Sequence, residues 1–293
     1  MRAVLTRPSS LLEALQHLTP GASNRSLRQM LDQGRVSLNG HLCKNPRQPV
    51  EKHDVVEIGA RTAVTKAARG LKILYEDDDL LIVHKSAGLL TVATPHERDR
   101  TVYARLHQYL LDRNRKSELF IVHRLDKYVS GILVFAKSEK VKVRMQAAFQ
   151  KHDIERKYWA IVEGQVSKER GTICSYLKED GLYRMHSTED QKKGKRAVTH
   201  YRVLQRFAKF TSLEVTLETG RKNQIRAHLS EIGHPIVGDR SYGSKNDPLG
   251  RMGLHAFCLG FRHPMQDTKL HFTTEPPPEF RRFIPVKPSE KDV

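Results

Sequence analysis

The sequence predicts an α+β fold in two parts, a small unit ahead of a larger one, and three observations predict it. The first sixty residues run helix, helix, then short strands. From Leu71 onward, strand and helix candidates alternate without an internal repeat. Within that larger part Leu213, Val215 and Leu217 alternate with polar neighbours. That period of two marks an antiparallel strand with one covered face, which argues against a doubly wound parallel sheet. A chain of 293 residues accommodates a small domain plus a larger one.

Ser10 with Glu13 three residues later is a capping-box pattern, opening a helix that carries Leu11, Leu12, Leu15 and Leu18 on one face. Pro20-Gly21 stops it. Ser23 or Asn24 caps a second helix with Leu27, Met30 and Leu31 inward, and Gly34 ends it. Asn39-Gly40 between Arg35-Val36-Ser37-Leu38 and His41-Leu42-Cys43 signals a hairpin. Asp54 to Ile58 adds a strand. The expected domain is 1–60, with 61–70, rich in small residues and aperiodic, as a linker, and 71–293 as the larger domain. There the strand candidates are Lys72 to Tyr75, Leu80 to His84, Gly131 to Lys137, Arg156 to Glu163, Val198 to Leu204 and Thr211 to Leu217. The helix candidates are Val102 to Arg113, Glu139 to Lys151 and Lys222 to Glu231. Lys192 to Arg196, inside the 181–196 stretch, reads as a basic mobile loop, and Pro276 to Pro288 as an irregular, fraying end.

The formal net charge is +18, which points to a polyanionic partner, nucleic acid before membrane. No apolar run approaches the ~18 residues of a membrane span, no basic amphipathic helix supports surface binding, and the start lacks the apolar stretch of a secretory signal. Cys43, Cys174 and Cys258 lie far apart, which excludes a disulfide framework or a CxxC metal site and suits a reducing cytoplasm. A monomer is expected, since nothing in the pattern suggests an interface.

Part of the charge gathers in the first unit. Arg25 and Arg28 share a helical face, and Arg35, Lys44 and Arg47 follow on and after the hairpin. Such a cluster neutralises phosphates; a solvated basic face has the same spacing. The runs Ser26 to Leu31 and Gly34 to Gly40 resemble the small α-L RNA-binding domain shared by a ribosomal small-subunit protein, tyrosyl-tRNA synthetase and several RNA-modifying enzymes. The resemblance covers about Ser10 to Ile58 and implies recognition of structured RNA by shape and backbone.

In the larger part Asp126 sits between Arg124 and Lys127, after the apolar Ile121-Val122 and before Ile132 to Phe135. Cations on both sides favour an ionised carboxylate, suited to nucleophile or base; a structural ion pair would look the same. His123-Arg124-Leu125-Asp126 with Ser130-Gly131 resembles the signature of RluA-type pseudouridine synthases. Leu74 to Lys85, Lys157-Tyr158, Ala197 to Tyr201, Thr219 to Leu229, His234 to Asp239 and Leu254 to Ala256 resemble that family's other motifs, in family order. The likeness spans about Leu71 to Pro285. Val129, Ser86 and Asn223 depart from it, standing where Thr, Pro and His are usual.

The resemblance implies a pseudouridine synthase fold, a mixed, mainly antiparallel sheet flanked by helices, and isomerisation of uridine with no cofactor and no metal. No Gly-rich phosphate loop, HExxH or Cys cluster speaks for one. It implies Asp126 as the catalytic carboxylate, attacking C1′ or assisting loss of a 2′ proton. It places Tyr158 against the flipped base and pairs Arg226 with Asp126. Ile225 becomes an apolar wall, and Arg124 the side chain filling the gap left by the extruded base. Lys85 and Arg221 are expected at substrate, Lys85 on backbone phosphate, with a hydrogen-bonded structural role as the alternative for Lys85. His123, His228 and His255 read as hydrogen-bonded structural residues. The expected substrate is ribosomal RNA of the large subunit, with transfer RNA as an alternative and a non-catalytic RNA-binding assembly factor as another.

Overall fold

The structure is a computed structural model that describes residues 2–32, 36–39, 41–43, 45–58, 71–181 and 183–284. Arg35, Lys44, the expected linker 61–70 and the end from 285 lie outside them. The chain divides into two compact units, residues 1–66 and 67–293.

The first unit contains β1 (Arg2–Val4), β2 (Ser9–Ser10), α1 (Leu11–Leu18), α2 (Asn24–Asp32), β3 (Val36–Leu38), β4 (His41–Leu42), β5 (Pro49–Val50) and β6 (Val55–Ile58). The capping box forms: the Glu13 N–H donates to Ser10 Oγ at 3.3 Å and the Ser10 N–H to Glu13 Oε2 at 3.0 Å. Ser23 caps α2, its hydroxyl accepting from the Ser26 N–H at 3.2 Å. Both helices turn their leucines onto a four-stranded sheet ordered β1-β6-β3-β4. Leu11, Leu15, Leu27, Leu31, Val36 and Val56 are fully buried together, each contributing roughly 1.5–3 kcal/mol of apolar burial. Asn39 takes φ +52 at the hairpin, and its side chain accepts from the Val55 N–H, tying the turn to β6. Strand β1 had no sequence signal; its three residues pair antiparallel with β6.

The second unit holds β7 (Leu71–Glu76), β8 (Leu80–Lys85), α3 (Val102–Leu111), β9 (Phe120–Ile121), β10 (Ser130–Ala136), α4 (Glu139–Gln150), β11 (Glu155–Glu163), β12 (Arg170–Glu179), β13 (Met185–Thr188), β14 (Lys195–Arg206), β15 (Phe210–Leu217), α5 (Gln224–Glu231), β16 (Leu254–Arg262) and β17 (Lys269–Thr273). Eleven strands form one sheet ordered β13-β12-β14-β15-β11-β16-β10-β8-β7, with β17 on β16 and β9 on β10. Its pairings are antiparallel except β10 with β16. The fold is therefore α+β with a mixed, mainly antiparallel sheet.

The parallel seam is the junction that matters. All seven residues of β10 are buried, and Val141 and Met145 of α4 cover one side. Gly131 has φ +126, and a Cβ there would lie 2.1 Å from the Ala256 carbonyl oxygen. Only glycine lets β10 meet β16 at the end of the loop that carries Asp126.

Two expectations are corrected. The Lys192 to Arg196 run is not a mobile loop: residues 191–193 form a turn and Lys195-Arg196 already belong to β14, while earlier in the 181–196 stretch β13 pairs with β12. Arg196 is tied to Glu218 at 3.1 Å, which accounts for part of the basic run. The described part of the C-terminal end does not fray. Phe280, Phe283 and Ile284 are buried against Ile161, Val237 and Leu249, because an apolar triplet follows the prolines.

Candidate active site

Asp126 lies in the loop between β9 and β10, and the loop is held from below. Thr91, only 2% exposed, bonds Leu125 twice: its hydroxyl donates to the Leu125 carbonyl at 2.7 Å and accepts from the Leu125 N–H at 3.2 Å. The Gly88 N–H donates to the Lys127 carbonyl at 2.8 Å, and the Val129 N–H closes a turn on the Asp126 carbonyl at 3.1 Å.

Lys85 is placed differently from the expectation. Its Nζ is buried and donates to the carbonyls of Ser86, Leu89 and Lys127 at 3.0, 2.8 and 3.0 Å. Three carbonyls occupy its three donors, so it braces the Asp126 loop and has none left for a phosphate. Burial pushes its pKa down to about 7, with Arg251 adding to the fall and Asp126 opposing it.

Arg226 reaches Asp126 from α5. The helix starts where Asn223 takes φ +51, and buried Gln224 anchors it through the Val198 carbonyl and Thr199 at 2.9 and 3.0 Å. Arg226 donates through Nε and Nη2 to both oxygens of Asp239, at 2.6 and 2.9 Å. That bidentate clamp fixes the guanidinium plane. Nη1 then donates to Asp126 Oδ2 at 3.2 Å and to Asn223 Oδ1 at 3.0 Å. The Tyr242 ring lies 4.7 Å from the guanidinium carbon. Burial works against the charged form, but the Asp239 and Asp126 carboxylates outweigh it and hold the pKa above the usual guanidinium value. Asp239 is the functional residue that sequence reasoning missed; it was quoted within a motif but given no partner, because thirteen positions separate it from Arg226.

Tyr158 on β11 completes the cleft, which Arg124, Asp126, Val129, Arg221, Ile225 and Arg226 also line. Its ring is buried, and burial raises the phenol pKa, with Arg156 pulling it down and Asp126 adding to the rise. Ile225, 5% exposed, supplies an apolar wall. Arg124 is exposed at the rim, and no described residue pairs with its guanidinium. Arg221 is exposed too, its Nε donating to the Arg196 carbonyl at 3.0 Å. The structure thus brings together Asp126, Tyr158, Arg226, Arg124, Ile225 and Arg221. In the separate N-terminal unit Arg25, Arg28 and Arg47 are exposed.

The histidines are engaged elsewhere. His123 Nε2 accepts from the Val134 N–H, and burial lowers its pKa to about 3, with Arg156 adding. His228 bonds Thr199 and Ser175, and His255 bonds Ser130 and Thr274. Among the described residues one group offers metal-ligand atoms, Glu155, Cys258 and His271. Lys157 already holds Glu155 at 2.6 Å, and these side chains lie on the strand face away from Tyr158. The cleft itself presents one carboxylate in a set of fixed donors, which suits anomeric or proton-transfer chemistry.

Residues 79–231 match the family described as RNA pseudouridylate synthase. The chain is 32% identical over 295 residues to ribosomal large subunit pseudouridine synthase D of Yersinia pestis, covering 93% of this chain and 89% of that protein. The protein of the same name from Escherichia coli strain K12 is 32% identical over 297 residues, covering 94% and 89%. Human RNA pseudouridylate synthase domain containing 4 superposes with a TM-score of 0.60 at 23% identity, over 72% of this chain and 92% of that one. This last likeness speaks to the fold alone.

Proposed function

Since the chain belongs to the RNA pseudouridylate synthase family and is an isomerase of uridine in RNA, we propose that its substrate is ribosomal RNA of the large subunit. Two things support that target: the names of its relatives at 32% identity, and a basic unit in front of the catalytic part. We read residues 1–60 as an α-L RNA-binding domain, with Arg25, Arg28 and Arg47 exposed to meet phosphates. The protein works as a monomer in the cytoplasm beside its RNA. No described helix is long and apolar enough to cross a membrane.

The observation that carries the catalytic reading is the chain Asp239–Arg226–Asp126, ending in the cleft that Tyr158 lines. Isomerisation breaks the bond from uracil N1 to ribose C1′ and remakes it from C5. Arg226, locked by Asp239, orients the Asp126 carboxylate toward the sugar. Two routes are open to Asp126: attack at C1′, or help in removing a 2′ proton. Tyr158 and Ile225 sandwich the detached base so that it turns without escaping. Arg124, unpaired at the rim, enters the duplex in place of the extruded uridine, offsetting part of the few kcal/mol that unstacking costs. Arg221 holds a flanking phosphate.

The target is tested with RNA carrying tritium at uridine C5, since moving the bond to C5 releases that hydrogen. Large-subunit ribosomal RNA is expected to lose tritium in stoichiometric amounts. Release from transfer RNA alone would move the substrate, and release from neither would favour the assembly-factor reading.

A further inference from the structure

Among the described residues, Arg156 is a buried cation without a counterion. It is 7% exposed, and its Nε is buried with no hydrogen-bond partner among the described residues. Nη2 reaches only the Glu218 carbonyl, at 3.5 Å, while the Glu218 carboxylate is engaged by Arg196 and His200. The guanidinium carbon lies 5.2 Å from the Phe149 ring. No described carboxylate lies within ion-pair distance of it. Gly220 makes room, since a Cβ there would come within 2.6 Å of Nη1. His123, neutral and hydrogen-bonded to the Val134 N–H, feels the charge but does not balance it.

An uncompensated buried charge is costly, and an orphaned buried donor adds to that cost. A methionine or leucine would fill the volume with less strain on stability. Such a group is expected to persist where its field is used. Its place says where. Arg156 and Tyr158 are two residues apart on β11, both buried and on the same face of the strand. Arg226, the largely buried cation that lines the cleft itself, is already neutralised by Asp239 and Asp126.

The chemistry supplies a use. When the N1–C1′ bond breaks, its electron pair leaves with the ring, and the detached uracil carries one negative charge. That pair returns to C1′ when C5 forms the new bond; the C5 proton is then lost to solvent and N1 takes one up, so the product is a neutral isomer. A fixed positive charge behind the Tyr158 phenol polarises its O–H toward an anion on the cleft side. We propose that Arg156 is a positioning residue of the uridine site, a counterion-free guanidinium whose field acts through Tyr158 to favour the detached, anionic base. This rests on the assignment of Tyr158 to that site.

The test compares Arg156→Met and Arg156→Lys with wild type and Tyr158→Phe in the full chain. Melting temperature, RNA affinity and single-turnover tritium release are read on one RNA. Arg156→Met is expected to melt at or above the wild-type temperature and to bind RNA within about twofold, while its rate falls about 10- to 100-fold. Arg156→Lys, which keeps the charge, recovers most of the rate. A wild-type rate in Arg156→Met, with Tyr158→Phe impaired, overturns the proposal and leaves the site assignment standing. A wild-type rate in Tyr158→Phe removes the assignment itself. Equal rate losses in the Met and Lys variants, or a loss that tracks a lowered melting temperature, also overturn it by making the role purely structural.

Discussion

Arg226 is held by two carboxylates of unequal burial, Asp239 at 1% side-chain exposure and Asp126 at 24%. The buried one orients it and the accessible one is presented to substrate. Removing Asp239 leaves a buried cation with its main partner gone, which costs about 3–5 kcal/mol. Asp239→Ala is therefore expected to lower the urea midpoint strongly and to slow tritium release, because the freed guanidinium swings onto Asp126 and covers it. Lys85 gives a pH signature. Its pKa is about 7 in the fold and about 10.4 in an unfolded chain. Between these values the unfolded chain binds more protons, so this group makes the fold more stable as pH rises from 7 toward 10. Urea titrations should show wild type gaining on Lys85→Met across that window; a constant difference would refute the assignment. Asp126 and Arg226 were legible because they stand within short motifs. Of the partners that make them work, Asp239 and Thr91 were not, and Lys85 was singled out without its carbonyl partners, since sequence pattern carries no information on which buried donors meet which acceptors.

At the scale of elements, strands with a clear apolar signal were readable. Phe210–Leu217 and Glu155–Glu163 match their expected spans to within one residue at each end: Leu213, Val215 and Leu217 alternate with polar neighbours, and Tyr158 to Val162 form a continuous apolar run. Strand β16 was not legible: it is buried on both faces, so Leu254–Arg262 shows no period of two. Strand β12 failed for the opposite reason: it is largely open to solvent, with Ile173 and Leu177 its only buried residues and no sustained apolar pattern. The helix expected over 222–231 begins two residues later, since Asn223 adopts a left-handed conformation and offers its side chain to Arg226. The parallel seam sets the sharpest constraint. Gly131→Ala must both strain a positive φ and push a methyl into the Ala256 carbonyl. A loss of more than about 3 kcal/mol is expected, read as a fall in the urea midpoint, together with loss of tritium release. A midpoint unchanged from wild type would show that the two strands part easily.

At the scale of the molecule, the +18 charge resolves into separate jobs. Arg226 is paired with Asp126 and Asp239, Arg196 is tied to Glu218, and Arg25 and Arg28 stand exposed on α2. If the latter two meet phosphates, Arg25→Gln with Arg28→Gln lowers the slope of log affinity against log salt by about 2, while single-turnover rates at saturating protein stay the same. An unchanged slope would take that helix out of the RNA interface. The α+β class was readable from element order, whereas the eleven-strand order depends on long-range pairings that no local pattern encodes. In the proposed mechanism one carboxylate, oriented by a clamped arginine, performs the isomerisation. Asp126→Asn removes that carboxylate's charge and is read by single-turnover tritium release from large-subunit ribosomal RNA. No release above background is expected, with RNA affinity changed by less than about threefold; release at a rate near wild type would take Asp126 out of the chemistry.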